Sequence, residues 1–529
     1  MPPSKPAASP RDGPPSAGHP ARARGLPCPG QTRQRSPWPV PCRVEPHLCT
    51  ADRSLALNDH DDPPDGWQLA ADIRTGQSTA VAAVSAALAR IGELDPAFNA
   101  FTVVLSDQAL SEAAAADKVG RANVDGQPLL GVPVSVKDHI WMAGAPATNG
   151  SAALRDFVAP QDCVAVARLR AAGAVIVGKT NNPEFCYRGF TDNNVYGLTR
   201  NPWDTGRTPG GSSGGAGASV AAGMTTLALG TDGGGSIRIP ASFCGVVGHK
   251  PTFGLVPKEP GFKGWKTLSV DGPLARSVRD AALMLSVIAG PSAQDDMTYP
   301  GPSAALILDA VNGGADLSGL RVAWSEDLGM LPVDDGVRAV FQDALGVFAE
   351  LGCSLVAAHP AAPHPTELWN QIALAEGYAS EGPLLADWRE EMSPGIADIV
   401  EAGRDTTAAQ YIDAMHRRAA YTRVWAEFFD RYDLLLTPTM QLTAFEVGLQ
   451  SPAEIQGQPV DPFFDDWCTS CLPANLTGMP ATSVPAGFDG RGLPVGLQIM
   501  GPRWADPLTL RAAAAFERRV PWQGFRPVR

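Results

Sequence analysis

Two glycine- and serine-rich segments and one lysine supply the residue types needed for nucleophilic catalysis. Residues 210–215 read Gly-Gly-Ser-Ser-Gly-Gly, and residues 230–238 read Gly-Thr-Asp-Gly-Gly-Gly-Ser-Ile-Arg. Lys137 follows the apolar run 129–136. A serine attacks a carbonyl carbon only when a base takes its proton, and a lysine in an apolar environment can act as that base. The pattern therefore predicts a serine hydrolase that uses lysine.

The sequence around Lys137 favours the neutral form of its side chain. A lysine in water has a pKa near ~10.4, so at neutral pH it is charged and cannot accept a proton. Val134 and Val136 indicate that Lys137 ends a buried strand. Because burial disfavours the charged form, it lowers the pKa of a lysine.

The glycines before Ser236 leave the backbone free to aim N–H groups at a developing oxyanion. The predicted oxyanion hole comprises Gly233, Gly234, Gly235 and Ser236. Loss of one such donor typically slows an enzyme by about 100- to 1,000-fold. We expect Asp232 and Arg238 to support this loop rather than to react, and Ser213 to hydrogen-bond around the serine relay.

The patterns in the rest of the chain predict the elements that position these residues. Apolar residues recur at helical spacing from Leu69 to Leu94, and Ser78 and Thr79 are typical of a helix N-cap. The other predicted elements are helices at 164–172 and 216–228 and strands at 129–136, 175–177, 434–436 and 495–500. Strands that alternate with helices predict an α/β fold, with a mixed or parallel sheet covered by helices on both faces.

Composition divides the 529 residues into two parts. Residues 1–65 are rich in proline and arginine, so we expect a disordered extension, either a tail or an over-extended translation start. Residues 66–529 show no further break in composition, and we expect them to form a single catalytic domain.

Charge and cysteine content exclude several classes of function. A net charge of −13 argues against nucleic-acid and anionic-membrane partners. No apolar stretch reaches the about 18 residues of a membrane span. The C-x-x-C pattern at 468–471 has no second pair or histidines to complete a metal site. We predict no metal and no cofactor.

Two motif matches conflict with their surroundings. Residues 173–180 fit the phosphate-loop pattern, but Ala-Val-Ile-Val between its glycines is typical of a strand rather than a phosphate cradle. Residues 211–215 fit the G-x-S-x-G elbow with Ser213 at its tip, yet the preceding residues read as a loop. The elbow, with a histidine base, stays open as an alternative mechanism.

Several separated motifs in order give a close resemblance to the amidase signature family, in its general amidase branch. The resemblance runs from about Ala70 to Pro521 and includes segments at 131–138, 210–215, 230–240, 244–252, 435–439 and 493–498. It implies a large twisted mixed sheet covered by helices. It also implies a catalytic triad in which Ser236 is the nucleophile, Ser212 is a bridging serine held in a cis peptide, and Lys137 is the base.

The resemblance further implies that the segment from Glu184 to Tyr187 lines the acyl pocket. The candidate pocket residues are Trp141, Met142, Cys186 and Tyr187.

We therefore expect hydrolysis of a small carboxamide to a carboxylate and ammonia or an amine, through an acyl-enzyme on Ser236. Three alternatives remain: a Ser213-elbow esterase, a catalytically silent binding protein, and the A-type component of a tRNA-dependent glutamine amidotransferase. Residues 411–429 lack the arginine-rich stretch expected of that component. We expect a cytoplasmic protein, with a homodimer as the assembly to consider.

Overall fold

The computed structural model describes residues 63–119, 126–314, 316–462 and 466–527. Most of the predicted N-terminal extension, residues 1–62, lies outside this part of the chain. The described residues, from Pro63 onward, belong to one compact unit. Its first described helix begins at Gly66, where we expected the catalytic domain to begin.

A mixed β-sheet forms the centre of the fold. Its strands are β1 (Phe101–Val104), β2 (Pro133–Lys137), β3 (Val175–Thr180), β4 (Leu227–Asp232), β5 (Val247–Lys250), β6 (Val270–Ala275), β7 (Arg321–Trp324), β8 (Ser354–Ala357), β9 (Leu434–Pro438), and, after a separate hairpin of β10 (Glu454–Ile455) and β11 (Gln458–Pro459), β12 (Ala481–Phe488) and β13 (Pro494–Met500). Within the described residues the sheet has 11 strands in the order β1-β3-β2-β4-β6-β5-β12-β13-β9-β7-β8. Strand β2 pairs in parallel with both β3 and β4, whereas β4 and β6 are antiparallel.

Helices cover the sheet. They are α1 (Gly66–Thr75), α2 (Ala80–Phe98), α3 (Ser106–Ala116), α4 (Val164–Ala171), α5 (Gly214–Ala221), α6 (Arg238–Cys244), α7 (Val278–Ile288), α8 (Ala304–Asn312), α9 (Asp335–Glu350), α10 (Thr366–Glu381), α11 (Leu385–Trp388), α12 (Ile396–Ala402), α13 (Ala408–Phe429), α14 (Leu472–Thr477) and α15 (Asp506–Arg519). None of the helices in the described ranges is both long and apolar enough to cross a membrane.

Alternate side chains of the strands pack into cores on opposite faces of the sheet, because successive residues of a strand point to opposite sides. Leu434 and Leu436 join the largest core, which includes residues of α4, α7, α8, α9 and α15. Leu435, between them, packs with residues of α10, α13 and α14 on the other face. Burial on both faces explains why this strand reads as a continuous apolar run, and it confirms the predicted covered sheet.

The parallel pairing of β2 with β3 and β4 brings the strand ends that carry the candidate catalytic residues to one edge. Lys137 is the last residue of β2, and Thr231 and Asp232 end β4. Val134 and Val136 face the largest core. Lys137, one residue further, therefore points to the opposite face, where α5 and α6 lie.

Most of the predicted elements are confirmed, with two errors. The strand expected at 129–136 begins only at Pro133, because residues 129–131 form a turn. Thr79 caps α2 by accepting a hydrogen bond from the Ala82 N–H at 3.1 Å. The predicted helix at 216–228 is wrong at both ends, since α5 covers only Gly214–Ala221 and β4 begins at Leu227. Gly223 adopts a left-handed φ of 69° after the helix, which a run of small residues alone does not reveal.

The phosphate-loop pattern is a strand, as the sequence indicated. Residues Val175–Thr180 form β3, which lies between β1 and β2 in the sheet, and all of them are buried. The Lys179 Nζ donates hydrogen bonds to the backbone carbonyls of Asp138 at 3.0 Å and Ile140 at 2.7 Å. This lysine holds a loop in place, so it does not serve a bound phosphate.

Candidate active site

Lys137 lies between two hydroxyl groups. Its Nζ is 2.7 Å from Ser212 Oγ and 2.8 Å from Thr231 Oγ1. Ser212 belongs to the loop before α5, and the Gly211–Ser212 peptide bond is cis, as the resemblance implied. Lys137 and Ser212 have no exposed surface. The contact between β2, β4 and this loop therefore forms a buried lysine–serine pair.

Burial lowers the pKa of the Lys137 ammonium from its ordinary value. The thiol of Cys186 and the carboxylates of Asp271 and Asp232 raise the pKa in the opposite direction but do not cancel the effect of burial. A neutral amine with two hydrogen-bond partners keeps a lone pair that can receive a proton. Lys137 therefore has the environment that a general base requires.

Ser236 lies at the turn that joins β4 to α6. Its side chain is 7% exposed and lines two cavities, which makes it accessible to a substrate. Gly235, the preceding residue, has a φ of +118°, a conformation that favours glycine. A Cβ at Gly235 would also lie 2.7 Å from Cys471 Cβ. The turn that presents Ser236 therefore requires the glycine.

A buried ion pair fixes this turn. Arg238 Nε and Nη2 each donate to Asp232 at 2.9 Å, and neither side chain is exposed. Arg238 also donates to Gln498 Oε1 at 2.7 Å and Asn475 Oδ1 at 2.6 Å. Burial alone would raise the pKa of the Asp232 carboxyl, but Arg238 holds it below its ordinary value. Both residues support the loop, as the sequence predicted.

The turn provides a smaller set of oxyanion donors than the sequence suggested. The Gly235 N–H donates to Asp232 Oδ1 at 2.8 Å, so it is already used within the protein. The expectation for the Gly235 N–H is therefore wrong in this structure. Gly234 and Ser236 border the cavities, and their backbone N–H groups donate to no described residue. Gly233 borders only one of the two cavities that Ser236 lines.

One cavity beside Ser236 has aromatic walls, and we call it the aromatic cavity. Its lining includes Tyr187, Ile239, Trp265, Trp369 and Leu472. Tyr187 and Trp265 stack with ring centroids 4.9 Å apart, and Trp369 meets Trp265 edge-on at 4.9 Å. The Trp369 Nε1–H donates to the Gly233 carbonyl at 3.0 Å, which ties this wall to the turn. An apolar group of a substrate fits this surface.

The second cavity is charged, and we call it the polar cavity. Its lining includes His139, Ser212, Thr231, Lys258 and Asp271 as well as Ser236. Burial, followed by the nearby Lys137, lowers the pKa of His139 to about 4, so the imidazole is neutral at pH 7. Among the described residues, no cluster of three or more histidine, cysteine or carboxylate side chains could hold a metal ion. Ser236 stands where the two cavities meet.

Comparison with known proteins identifies the family. The family model for amidases matches residues 82–510. The chain belongs to the amidase family. It is a hydrolase that acts on amide C–N bonds.

Relatives and solved structures place this amidase near acylamidases and near the A-type component of glutamyl-tRNA(Gln) amidotransferases. It is 38% identical to an acylamidase of Rhodococcus erythropolis, over 87% of this chain and 96% of the relative. It is also 38% identical to the A-type amidotransferase component of Symbiobacterium thermophilum, over 85% and 96%. A bacterial aryl acylamidase structure, of the amidase signature family, matches with a TM-score of 0.81 at 30% identity, covering 88% of this chain and 99% of that one. The corresponding amidotransferase component of Thermotoga maritima matches with a TM-score of 0.68 at 34% identity, covering 85% and 94%.

Three of the four predicted pocket residues of this amidase line the two cavities. Cys186 borders both cavities, Tyr187 the aromatic one and Trp141 the polar one. The prediction that Met142 lines the pocket is wrong, because Met142 has no exposed surface and packs into the largest core with Val136. Of these two neighbours, Trp141 borders a cavity and Met142 lies in the core, and no sequence pattern shows which of them faces the cavity.

Ser213 lies behind the site rather than in it. Its side chain has no exposed surface, and its Oγ donates to the Thr231 carbonyl at 3.2 Å. The Ser213 N–H donates to the Ser236 carbonyl at 3.1 Å. These bonds link the two serine segments, which agrees with the supporting role expected for Ser213.

Sequence reasoning missed several residues of the site. Thr231 was part of a quoted motif, and its place one residue before Asp232 at a strand end was the available signal. Trp265 and Trp369 had no such signal, since they come from a loop and a helix far along the chain. Asp271 was missed because a single acidic residue within an apolar strand carries no recognisable pattern.

Proposed function

We propose that this amidase works through a Ser236 acyl-enzyme, with Lys137 as the base and Ser212 as the proton relay. The observation that carries the proposal is the buried Lys137 Nζ, which lies 2.7 Å from Ser212 Oγ, while Ser212 and Ser236 line the same cavity. The lowered pKa of Lys137 supports its role, since a lysine can act as a base only when neutral.

In the first half-reaction, neutral Lys137 takes the proton of Ser212 while Ser212 takes that of Ser236. The Ser236 Oγ forms a bond to the amide carbon, and the carbonyl oxygen becomes an oxyanion facing the N–H groups of Gly234 and Ser236. The proton then returns through Ser212 to the amide nitrogen, and the C–N bond breaks to release a neutral amine or ammonia. Water, deprotonated by the same relay, attacks the ester carbon. The bond between this carbon and Ser236 Oγ then breaks, the relay returns the proton to Ser236, and the acid leaves as a carboxylate after losing its own proton to solvent.

The aromatic cavity supports a substrate whose acyl group is aryl or branched alkyl. Burial of one such group against Tyr187, Trp265 and Trp369 contributes roughly 1.5–3 kcal/mol of binding free energy. The aromatic cavity does not border Ser212, whereas the polar cavity does. Because the leaving nitrogen must receive its proton from Ser212, we place the acyl group in the aromatic cavity and the amine in the polar cavity.

The amidotransferase component remains the second candidate, since its sequence identity of 38% equals that of the acylamidase. The backbone fits the aryl acylamidase more closely, with a TM-score of 0.81 against 0.68, whereas the sequence identity is higher for the amidotransferase component, 34% against 30%. The aromatic walls around Ser236 suit an aryl group better than the zwitterionic head of glutamine. If the protein released ammonia from glutamine and hydrolysed acylanilides only slowly, the amidotransferase function would become the first candidate and the acylamidase function the second.

The elbow mechanism loses support from the structure. Ser213 is buried and starts α5 after a loop, whereas an elbow serine is exposed after a strand. His249 is held by Thr482 Oγ1 at 2.9 Å and Asp506 Oδ1 at 3.3 Å and so has other partners.

Hydrolysis of phenylacetyl-4-nitroanilide, whose acyl group is the aromatic one that the aromatic cavity is proposed to bind, tests the proposal in two serine variants. We expect Ser236→Ala to abolish release of nitroaniline, because it removes the nucleophile, while Ser213→Ala retains most of it. Loss of activity in Ser213→Ala with retention in Ser236→Ala would establish the elbow mechanism. If the wild type hydrolysed no amide, glutamine included, the remaining interpretation would be a catalytically silent binding protein.

A further inference from the structure

The polar cavity contains a carboxylate that the proposed reaction does not use. Asp271 lies on β6 directly opposite Thr231 of β4, and the two strands are antiparallel. Opposite residues of an antiparallel pair place their side chains on the same face. Thr231 Oγ1 contacts Lys137 on that face, at 2.8 Å. Asp271 is thus set beside the catalytic groups by the register of the sheet.

Asp271 lacks the partners that a buried carboxylate normally has. Asp271 is 4% exposed, and among the described residues it accepts no hydrogen bond and forms no ion pair. Burial raises its pKa, and the nearby His139, Lys258 and Lys137 lower it only in part. The nearby carboxylate of Asp232, by contrast, pairs with Arg238 and Asn475. A buried carboxylate without donors is costly, and natural proteins usually pair it. Because Asp271 lines the polar cavity, a ligand in that cavity is the donor that fits.

The other charges in the cavity indicate what kind of donor this is. Lys258 Nζ donates to the backbone carbonyls of Lys266 at 2.9 Å and Ser269 at 3.2 Å, which holds its ammonium beside the cavity. His139 is occupied through Nδ1 with Asn149 Oδ1 at 3.1 Å. An ammonium group on the substrate would meet Lys258 as well as Asp271. A neutral hydroxyl or N–H group meets Asp271 without that repulsion.

We propose that Asp271 selects substrates whose leaving amine carries a neutral hydrogen-bond donor, a hydroxyl or an amide N–H. The proposal rests on the proposed function, which places the leaving amine in the polar cavity. Burial raises the pKa of Asp271 to about 6, so the carboxylate is ionised and can accept this hydrogen bond above that pH.

Two amides with the same phenylacetyl group test the proposal: the N-(2-hydroxyethyl) amide and the N-propyl amide, which differ only in a hydroxyl against a methyl group. We expect wild-type kcat/KM to favour the hydroxyethyl amide by about 10- to 100-fold, since a hydrogen bond to a charged group has roughly that effect. Asp271→Leu is expected to remove the preference, and Asp271→Asn to reduce it. Asp296→Asn, which removes an exposed carboxylate, serves as the control and keeps the preference.

Labelling of Ser236 by a fluorophosphonate separates the two proposals. A labelled wild type without preference for the hydroxyethyl amide overturns the role of Asp271 and leaves the reaction intact. An unlabelled wild type overturns the proposed function and this inference with it. If Asp271→Leu slows labelling and lowers kcat/KM equally for both amides, Asp271 acts on Lys137 and the inference is wrong. If Asp271→Leu does not fold, Asp271→Asn decides the question. A reduced preference for the hydroxyethyl amide in Asp271→Asn supports the proposal, and an unchanged preference overturns it.

Discussion

At the scale of the residue, the proposed reaction depends on the protonation state of Lys137. We expect Lys137→Met to lower kcat/KM by about 100- to 10,000-fold, the usual contribution of a general base. Burial lowers the pKa of Lys137, so in the wild type kcat/KM should fall as the pH drops below that lowered pKa and the amine becomes charged. A pH profile of both proteins checks this, because the acidic fall should vanish in Lys137→Met. An identical fall in the variant would assign the titration to another group.

Thr231 should position Lys137 through its hydroxyl. Thr231→Val keeps the shape of the side chain but removes the partner 2.8 Å from Lys137 Nζ. We expect kcat to fall about tenfold, or about 1.4 kcal/mol, with little change in KM, because the base is misaligned while the cavity walls remain.

Thr180→Val is the matched control for this change. Thr180 pairs with Lys137 in the sheet register, and its buried Oγ1 has no partner among the described residues. Its removal should leave kcat unchanged. Equal losses in both variants would show that any change at this edge of the sheet impairs the enzyme.

At the scale of the element, the turn between β4 and α6 depends on the Arg238–Asp232 pair. Arg238→Leu leaves Asp232 buried and unpaired, which should lower the free energy of unfolding by about 3–5 kcal/mol. Arg321→Leu breaks an Arg–Asp pair of similar geometry at the surface and should change the stability far less. Urea unfolding of the two variants measures the difference. Equal losses would mean that burial does not set the strength of the pair.

The sequence predicted elements and local motifs well, and long-range packing poorly. Lys137 was placed at a strand end because Val134 and Val136 carry a local apolar pattern, and the structure agrees. The helix expected at 216–228 failed because alanine and glycine fit both a helix and the turn after it. The aromatic cavity was out of reach, since Trp369 meets Gly233 through packing across 136 residues of sequence.

At the scale of the whole molecule, a group of carboxylates links the first helix to the last. Asp280 accepts the N–H groups of Gly66 at 2.7 Å and Trp67 at 2.8 Å, and Glu517 accepts the Val278 N–H at 3.1 Å. Burial raises the pKa of Asp280 to about 7 and that of Glu517 to about 8. The unfolded chain loses these protons near pH 4, whereas the folded protein keeps them until pH 7–8. Their contribution to stability is therefore lost as the pH rises through this window.

Glu517→Gln removes one of these titrations and should flatten the dependence of stability on pH. We expect the Tm of the variant, measured relative to that of the wild type, to increase between pH 5 and pH 8, because the variant lacks the carboxyl whose pKa burial raises to about 8. Scanning calorimetry of both proteins measures this difference, with the exposed Glu350→Gln as the control. The same change of Tm with pH in the wild type and in Glu517→Gln would contradict the assignment.

Activation of Ser236 by Lys137 underlies the whole proposed reaction, and mass spectrometry after fluorophosphonate treatment probes it without a substrate. We expect one adduct on the intact wild-type protein, which peptide mapping should assign to Ser236. Ser236→Ala should form none, and Lys137→Met should form it far more slowly. An adduct on Ser213, or one on Ser236 that forms at the same rate without Lys137, would show that this lysine–serine mechanism is wrong.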